Sequence, residues 1–86
     1  MYNLVEKYIK NMTMEDVRNF ALKKNANLSE NELAFTYNFI KNNYQNILKN
    51  PKLLDLERYK NNYSKDNYEK ILKTFQEYSQ KYSRYL

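Results

Sequence analysis

The chain has 86 residues and a formal net charge of +5, and it contains no histidine, no cysteine and no glycine. Without histidine and cysteine it lacks the usual zinc ligands and the Ser-His and Cys-His nucleophile pairs. Without glycine it has neither a P-loop nor a dinucleotide-binding fingerprint. We therefore expect no enzymatic activity, no metal and no cofactor, and we expect residues 1–86 to form a single helical domain.

The location is predicted from what the chain lacks. No stretch approaches the roughly eighteen consecutive apolar residues of a membrane span. No basic segment precedes an apolar leader. We expect no contact with a membrane and a cytoplasmic location.

The charge is spread evenly along the chain. Residues 1–50 carry seven basic and five acidic side chains, and residues 51–86 carry eight and five. An acid precedes a base by four residues in the pairs Glu6–Lys10, Asp66–Lys70, Glu69–Lys73 and Glu77–Lys81. Since this order stabilises a helix surface, the charges indicate solvated helices rather than a basic arm.

The first two helices are predicted from apolar spacing and a cap. The first covers about Tyr2–Asn11, and its apolar face contains Met1, Leu4, Val5, Tyr8, Ile9 and Met12. The second begins after Thr13, with Asp16 in the capping-box position, and ends near Lys24. Its apolar stripe contains Met14, Val17, Phe20 and Ala21.

The third helix has the clearest start. Ser29 and Glu32 have the spacing of a capping box, and Leu28 and Leu33 that of a hydrophobic staple. One face carries Leu33, Tyr37, Ile40, Tyr44 and Ile47, and roughly the opposite face carries Phe35 and Phe39. A helix that is apolar on two sides is either central in a bundle or presents a patch to a partner.

Two further helices are predicted after Asn50. Asn50 and Pro51 have the character of a cap and a first helical residue, and Leu53, Leu56, Tyr59 and Tyr63 share a face. Ser64 caps the last helix, where Tyr63 and Tyr68 could form a staple. The apolar stripe of that helix contains Tyr68, Ile71, Leu72, Phe75, Tyr78 and Tyr82.

Tyrosine and asparagine take over tasks that other residues usually perform. The ten tyrosines mostly lie on the apolar stripes, so we expect most of their rings to belong to the core. Asparagine tolerates the left-handed backbone conformation that often ends a helix, so it can replace the missing glycine at the junctions. The pattern predicts an all-α, compact bundle of four to five short helices around the third.

The leading functional prediction is a non-enzymatic module that binds a protein partner or a second copy of itself. The predicted contact patch consists of Phe35, Phe39, Tyr78 and Tyr85. Phe35 and Phe39 lie roughly opposite the main apolar face of the third helix, and Tyr78 and Tyr85 lie at the edge of the apolar stripe of the last helix.

Nucleic-acid binding through basic residues and edge tyrosines is the alternative. A helix-turn-helix over residues 13–42 would place the third helix in the major groove. Its connection is about half a turn too long, and the third helix begins with the acidic and apolar run "ENELAF". Readers of base edges usually present Arg, Lys, Asn or Gln there.

The runs "KNMTMEDVRNFALKKNANLSENEL", "FIKNNYQNIL" and "SKDNYEKILKTFQEYSQKY" together resemble a group of small proteins of unknown function from low-GC Gram-positive bacteria. The likeness covers nearly the whole chain and depends on caps and apolar spacing. This chain has asparagine where that group often has glycine after the second helix. The resemblance implies a cytoplasmic helical bundle and no particular activity.

Overall fold

The computed structural model describes residues 2–49 and 55–83, which form four α-helices and one 3₁₀ helix. The α-helices are α1 (Tyr2–Asn11), α2 (Met14–Lys23), α3 (Glu30–Lys49) and α4 (Lys65–Ser83), and the 3₁₀ helix covers Leu56–Asn62. No strand occurs within these two ranges. The predicted all-α bundle is confirmed.

Helix α3 lies at the centre of the fold. It packs against both α1 and α2, and the 3₁₀ helix packs against α4. The buried core consists of Met12, Val17, Ala21, Ala26, Leu28 and Leu33, and the partly buried Tyr37, Ile40, Tyr63 and Ile71 pack against it. Two tyrosine rings, those of Tyr37 and Tyr63, therefore pack against the core, fewer than the majority of the ten that the sequence predicts.

Both predicted capping boxes form. Thr13 Oγ1 accepts a hydrogen bond from Asp16 N at 3.1 Å, and Asp16 Oδ2 accepts one from Thr13 N at 2.9 Å. Ser29 Oγ and Glu32 Oε1 make the same reciprocal pair at the start of α3, at 3.2 and 2.8 Å. Each cap stabilises its helix by about 1 kcal/mol, because it satisfies backbone donors that the helix itself cannot.

The turn after α2 uses asparagine where glycine is common. Asn25 has φ 65°, the left-handed region that glycine and asparagine enter most readily. Its carbonyl oxygen accepts a 2.6 Å hydrogen bond from Lys70 Nζ of α4. This turn therefore also ties α4 to the connection between α2 and α3.

A lysine of α3 holds the end of α1. Lys41 Nζ donates to Ile9 O at 2.8 Å and to Lys10 O at 2.7 Å. These carbonyls lie in the last turn of α1, where the helix dipole favours a cation.

The structure has a 3₁₀ helix in the region where the sequence predicts the fourth helix. Its expected start at Asn50 and Pro51 lies outside the described residues. The described part is a 3₁₀ helix whose first turn is capped by Asp55, since Asp55 Oδ1 accepts from Glu57 N at 3.1 Å. Ser64 caps α4 as predicted, because its Oγ accepts from Asn67 N at 3.2 Å.

Three residues that the helical spacing assigned to apolar faces are exposed: Tyr8 at 60%, Phe20 at 40% and Met14 at 38% of their surface. These three side chains are therefore not part of the buried core. Helix α2 buries only Val17 and Ala21, which lie one turn apart on a narrow strip. The larger side chains on either side of that strip remain in contact with solvent.

Candidate interaction surfaces

The described residues contain neither a cluster of metal ligands nor a helix that could span a membrane. Within residues 2–49 and 55–83, no group of three potential ligands could hold a metal ion. None of the helices in that part of the chain is both long enough and apolar enough to cross a bilayer.

Among the polar residues whose burial the structure describes, Glu32 is the most buried, and its carboxylate joins the starts of two helices. Its Oε1 accepts hydrogen bonds from Ser29 N at 2.8 Å and from Asn67 Nδ2 at 2.8 Å. Its Oε2 accepts from Ser64 N at 2.6 Å. Asn67 Nδ2 also donates to Asn27 O at 3.0 Å. We call these five residues the polar junction, and through it one carboxylate serves the caps of both α3 and α4.

The polar junction keeps Glu32 ionised. Burial raises the pKa of the carboxyl group, but the hydrogen bonds from Ser29, Ser64 and Asn67 outweigh burial, and the pKa lies below its ordinary value. The donors all come from the chain itself. The arrangement therefore links the start of α4 to the start of α3.

Phe35 and Phe39 of the predicted contact patch belong to an aromatic cluster within the chain. Their ring centroids lie 6.1 Å apart, and Tyr59 of the 3₁₀ helix lies 5.7 Å from Phe35 and 4.8 Å from Phe39. Tyr63 meets Phe35 edge-on at 5.7 Å. Both phenylalanines are half-buried, with the 3₁₀ helix beside them. Their role in binding a partner stays a prediction.

The hydroxyl of Tyr63 connects this aromatic cluster to the polar junction. Its oxygen lies 2.6 Å from Thr36 Oγ1, and Thr36 Oγ1 donates to Glu32 O at 2.7 Å. Since the Thr36 proton is used in the second bond, Tyr63 is the donor in the first. Burial is the main cause that raises the pKa of Tyr63, and the nearby charge of Glu32 raises it further.

Tyr78, the third residue of the predicted patch, packs against α2. Its ring centroid lies 5.8 Å from that of Phe20. Lys24 Nζ lies 6.0 Å from the centroid of Phe20 and 3.9 Å from Glu77 Oε2, so a cation borders the same aromatic pair. Tyr85, the fourth residue of the patch, lies outside the described residues.

A surface that the sequence analysis did not identify runs along the outside of α2. One row, four residues apart, contains Met14, Arg18 and Leu22, and the neighbouring row contains Glu15, Asn19 and Lys23. Leu22 is 48% exposed, and no other large aliphatic side chain among the described residues is exposed to a greater extent. We call these six residues the outer face of α2. Met14 and Leu22 lie about two helical turns apart, and this spacing is the feature of the sequence that could have indicated the outer face.

Arg18 lies in the middle of the outer face and is paired on both sides. Its Nη2 lies 3.1 Å from Glu30 Oε1, and its Nε lies 3.5 Å from Glu15 Oε1. The hydrogen bond that Arg18 donates to Glu30 is the main cause that raises the pKa of Arg18. The guanidinium is thus held against two carboxylates, and its charge is locally compensated.

A second exposed surface is basic. Lys7, Tyr8 and Lys10 of α1 are exposed, and Lys41 of α3 contacts the last carbonyls of the same helix. No acidic residue occurs in the sequence between Glu32 and the end of α3. An exposed ring with neighbouring lysines is the kind of surface on which single-stranded nucleic acid can stack.

The predicted helix-turn-helix over residues 13–42 would place α3 in the major groove. The Glu32 and Leu33 side chains are buried, and Glu30 is engaged with Arg18. The connection between α2 and α3 covers residues 24–29. Binding of DNA by residues 13–42 stays a prediction for experiment.

No protein family, curated protein or solved structure matches this chain. The resemblance to small proteins of low-GC Gram-positive bacteria therefore stays a prediction.

Proposed function

We propose that the protein is a cytoplasmic, non-enzymatic interaction module that binds a protein through the outer face of α2. The observation that carries the proposal is how α2 divides its apolar side chains. The helix buries its small ones, Val17 and Ala21, and leaves the larger Met14, Phe20 and Leu22 between 38% and 48% exposed. If α2 served only to pack on α3, burial of the larger side chains would stabilise the fold more than burial of the small ones.

The size of the gain is modest for each residue. Full burial of a leucine or methionine side chain is worth about 1.5–3 kcal/mol. Because Met14 and Leu22 are already more than half covered, a partner would recover about 1 kcal/mol from each. Single exposed apolar residues are ordinary, but Met14 and Leu22 lie on the same side of α2, about two turns apart, and together they form a surface.

This proposal moves the main contact away from Phe35 and Phe39. Those rings already pack against Tyr59 and Tyr63, so a partner would cover less new apolar area there. A substitution such as Phe39→Asp would also disturb the aromatic cluster. A change in binding at that site would therefore be difficult to separate from a change in folding.

The test uses a photoreactive phenylalanine analogue introduced at Leu22 in one variant and at Glu69 in another. Glu69 is an exposed residue of α4 that lies outside the face, so it serves as the matched control. After irradiation in native cells and treatment with nuclease, the Leu22 variant should give discrete protein adducts that the Glu69 variant does not give. The partner identified by mass spectrometry is then titrated with the purified protein.

In that titration, Leu22→Glu should weaken binding about tenfold, because it places an uncompensated charge in an apolar contact. Glu69→Lys should leave the affinity unchanged. If both positions give the same adducts, or if Leu22→Glu binds as tightly as the native protein, the outer face of α2 is not the contact surface.

Nucleic-acid binding remains the second candidate because the exposed ring of Tyr8 lies on α1 near two exposed lysines, Lys7 and Lys10. Binding through phosphates predicts that affinity for a labelled oligonucleotide falls steeply between 50 and 200 mM salt, roughly the range over which such contacts weaken. Tyr8→Ala should reduce affinity for single strands by about 1–3 kcal/mol if bases stack on its ring. Affinity that does not depend on salt would exclude this candidate.

A further inference from the structure

We infer that the partner of the outer face of α2 is a second copy of the chain, packed antiparallel across a two-fold axis. This inference rests on the proposed function, and it adds the identity and orientation of the partner. Its basis is that both rows of the outer face are self-complementary when the helix is reversed.

The apolar row sets the register. Met14, Arg18 and Leu22 are spaced four residues apart, so they form one ridge that drifts slowly around the helix. A two-fold axis that passes between Arg18 and Asn19 places Met14 against Leu22 of the second copy, and Leu22 against the Met14 of that copy, to within about the 1.5 Å rise of one residue. Such an isologous contact is formed twice by symmetry. Packing of two ridges of this kind is the commonest class of helix contact in globular proteins.

The polar row matches in the same register. Glu15, Asn19 and Lys23 lie beside the apolar row, one position further along the helix. Reversal across the axis places Glu15 next to Lys23 of the second copy, and the reverse pair forms as well. Asn19 meets its own counterpart, and two side-chain amides can donate to each other reciprocally. Opposite charges therefore meet at both ends of the contact.

Arg18 would meet its own symmetry mate at the centre, where two like charges normally repel. Here each guanidinium is held by Glu30 at 3.1 Å and by Glu15 at 3.5 Å within its own chain. These carboxylates compensate the charge before the two copies meet. The aliphatic part of the arginine side chain then completes the ridge between Met14 and Leu22.

Phe20 does not belong to this contact. At about 100° per residue, Phe20 and Leu22 lie on opposite sides of the buried strip formed by Val17 and Ala21. The Phe20 ring already packs against Tyr78 of α4. The dimer therefore uses one side of α2 and leaves the other side against the bundle.

The contact is small, so the dimer should be weak. One face of a ten-residue helix covers less than the roughly 800 Å² per partner of a standard interface. We expect a dissociation constant on the order of 100 µM and rapid exchange between monomer and dimer.

A charge exchange between two variants tests the arrangement by sedimentation equilibrium. In Glu15→Lys, two lysines face each other at both ends of the contact, and in Lys23→Glu two glutamates do. Each variant alone should dimerise about tenfold more weakly than the native chain, since two attractive surface pairs become repulsive. An equimolar mixture of the two should recover association to within about threefold, because every facing pair then has opposite charges.

The matched controls are Glu69→Lys and Lys65→Glu on α4, which change the net charge by the same amounts at exposed positions. They should leave association unchanged, alone and mixed. Circular dichroism confirms that each variant is folded. If the mixture associates no better than its components, or if the controls behave in the same way, the antiparallel dimer is refuted.

The outcome also separates this inference from the proposed function. A native chain that stays monomeric at 1 mM, a concentration about tenfold above the expected constant, refutes the dimer. If the Leu22 photoadduct of such a chain contains a different protein, the proposed function stands and only the identity of the partner was wrong. If no position on α2 gives a protein adduct, both are refuted.

Discussion

Replacement of Glu32 by glutamine should destabilise the fold strongly, although the two side chains have nearly the same shape. The carboxylate accepts three hydrogen bonds of 2.6–2.8 Å, from Ser29 N, Ser64 N and Asn67 Nδ2. Glutamine keeps the shape of the side chain but turns one oxygen into an NH₂ group. That group would point a donor at one of these donors, and the two remaining bonds would lose the charge that strengthens them.

The magnitude follows from these contacts. A hydrogen bond to a charged group contributes about 1.5–3 kcal/mol, and a buried donor without a partner costs about 1–3 kcal/mol. Because one bond is lost and two are weakened, we expect Glu32→Gln to lower the free energy of unfolding by about 2–4 kcal/mol. For a domain of this size, that corresponds to a decrease of roughly 10–25 °C in melting temperature.

The assay is urea denaturation followed by far-ultraviolet circular dichroism, with Glu30→Gln as the matched control. Glu30 lies in the same first turn of α3, but its side chain is 79% exposed and it pairs only with Arg18 in the contacts described. The control should lose at most about 1 kcal/mol. If Glu32→Gln loses no more than Glu30→Gln, the polar junction does not hold α3 and α4 together.

Three further predictions concern pH, the Tyr63 hydroxyl and the turn at Asn25. Because the pKa of Glu32 is lower in the folded protein, its contribution should be complete above the ordinary value of 4.5 and should be lost as the pH falls through the lower folded pKa. The free energy of unfolding measured from pH 6 to pH 3 should therefore fall less steeply in Glu32→Gln than in the native chain, and equal slopes would contradict this. Tyr63→Phe should lose about 0.5–1.5 kcal/mol with its hydrogen bond to Thr36, whereas Tyr59→Phe serves as the control and should lose less; equal losses would contradict the bond. The raised pKa of Tyr63 adds stability that is complete below its ordinary value of 10.0 and is lost as the pH rises through the folded pKa, and a spectrophotometric tyrosine titration of the native chain and Tyr63→Phe would detect this. Asn25→Ala should cost about 1–2 kcal/mol in thermal melts because alanine disfavours the φ of 65°, while Asn25→Gly should cost less; the opposite order would show that the turn is not left-handed.

The local features of the fold could be predicted from the sequence. The capping boxes at Thr13 and Ser29 and the buried pair Leu28 and Leu33 follow from residues within a few positions of each other. The left-handed conformation of Asn25 was also predictable, because the chain has no glycine and asparagine is the next residue to adopt that conformation readily.

The second role of Glu32 could not be predicted in the same way. Its partners Ser64 and Asn67 lie 32 and 35 residues further along the chain. A capping-box pattern shows which side chain reaches its own helix start. It does not show that a second helix start will pack against the other oxygen of the same carboxylate.

The surface residues were missed for a different physical reason. Helical spacing shows that Met14 and Phe20 lie near the side of Val17 and Ala21, but the neighbouring helices decide how wide a strip is buried. Because α2 packs through two small side chains, the strip is narrow and the flanking residues are exposed. Leu22 lies further from the strip and was not assigned to any surface in advance.

The most direct test of the outer face of α2 is a series of ¹⁵N-correlated spectra of the native chain, from about 20 µM to 1 mM, a range that spans the expected dissociation constant. Amide shifts that change with concentration should cluster at Met14–Lys23 and in the first turn of α3 beside Glu30, and they should be absent from the spectra of Leu22→Glu. Shifts that cluster instead on the 3₁₀ helix, or spectra that do not change with concentration, would contradict self-association through α2.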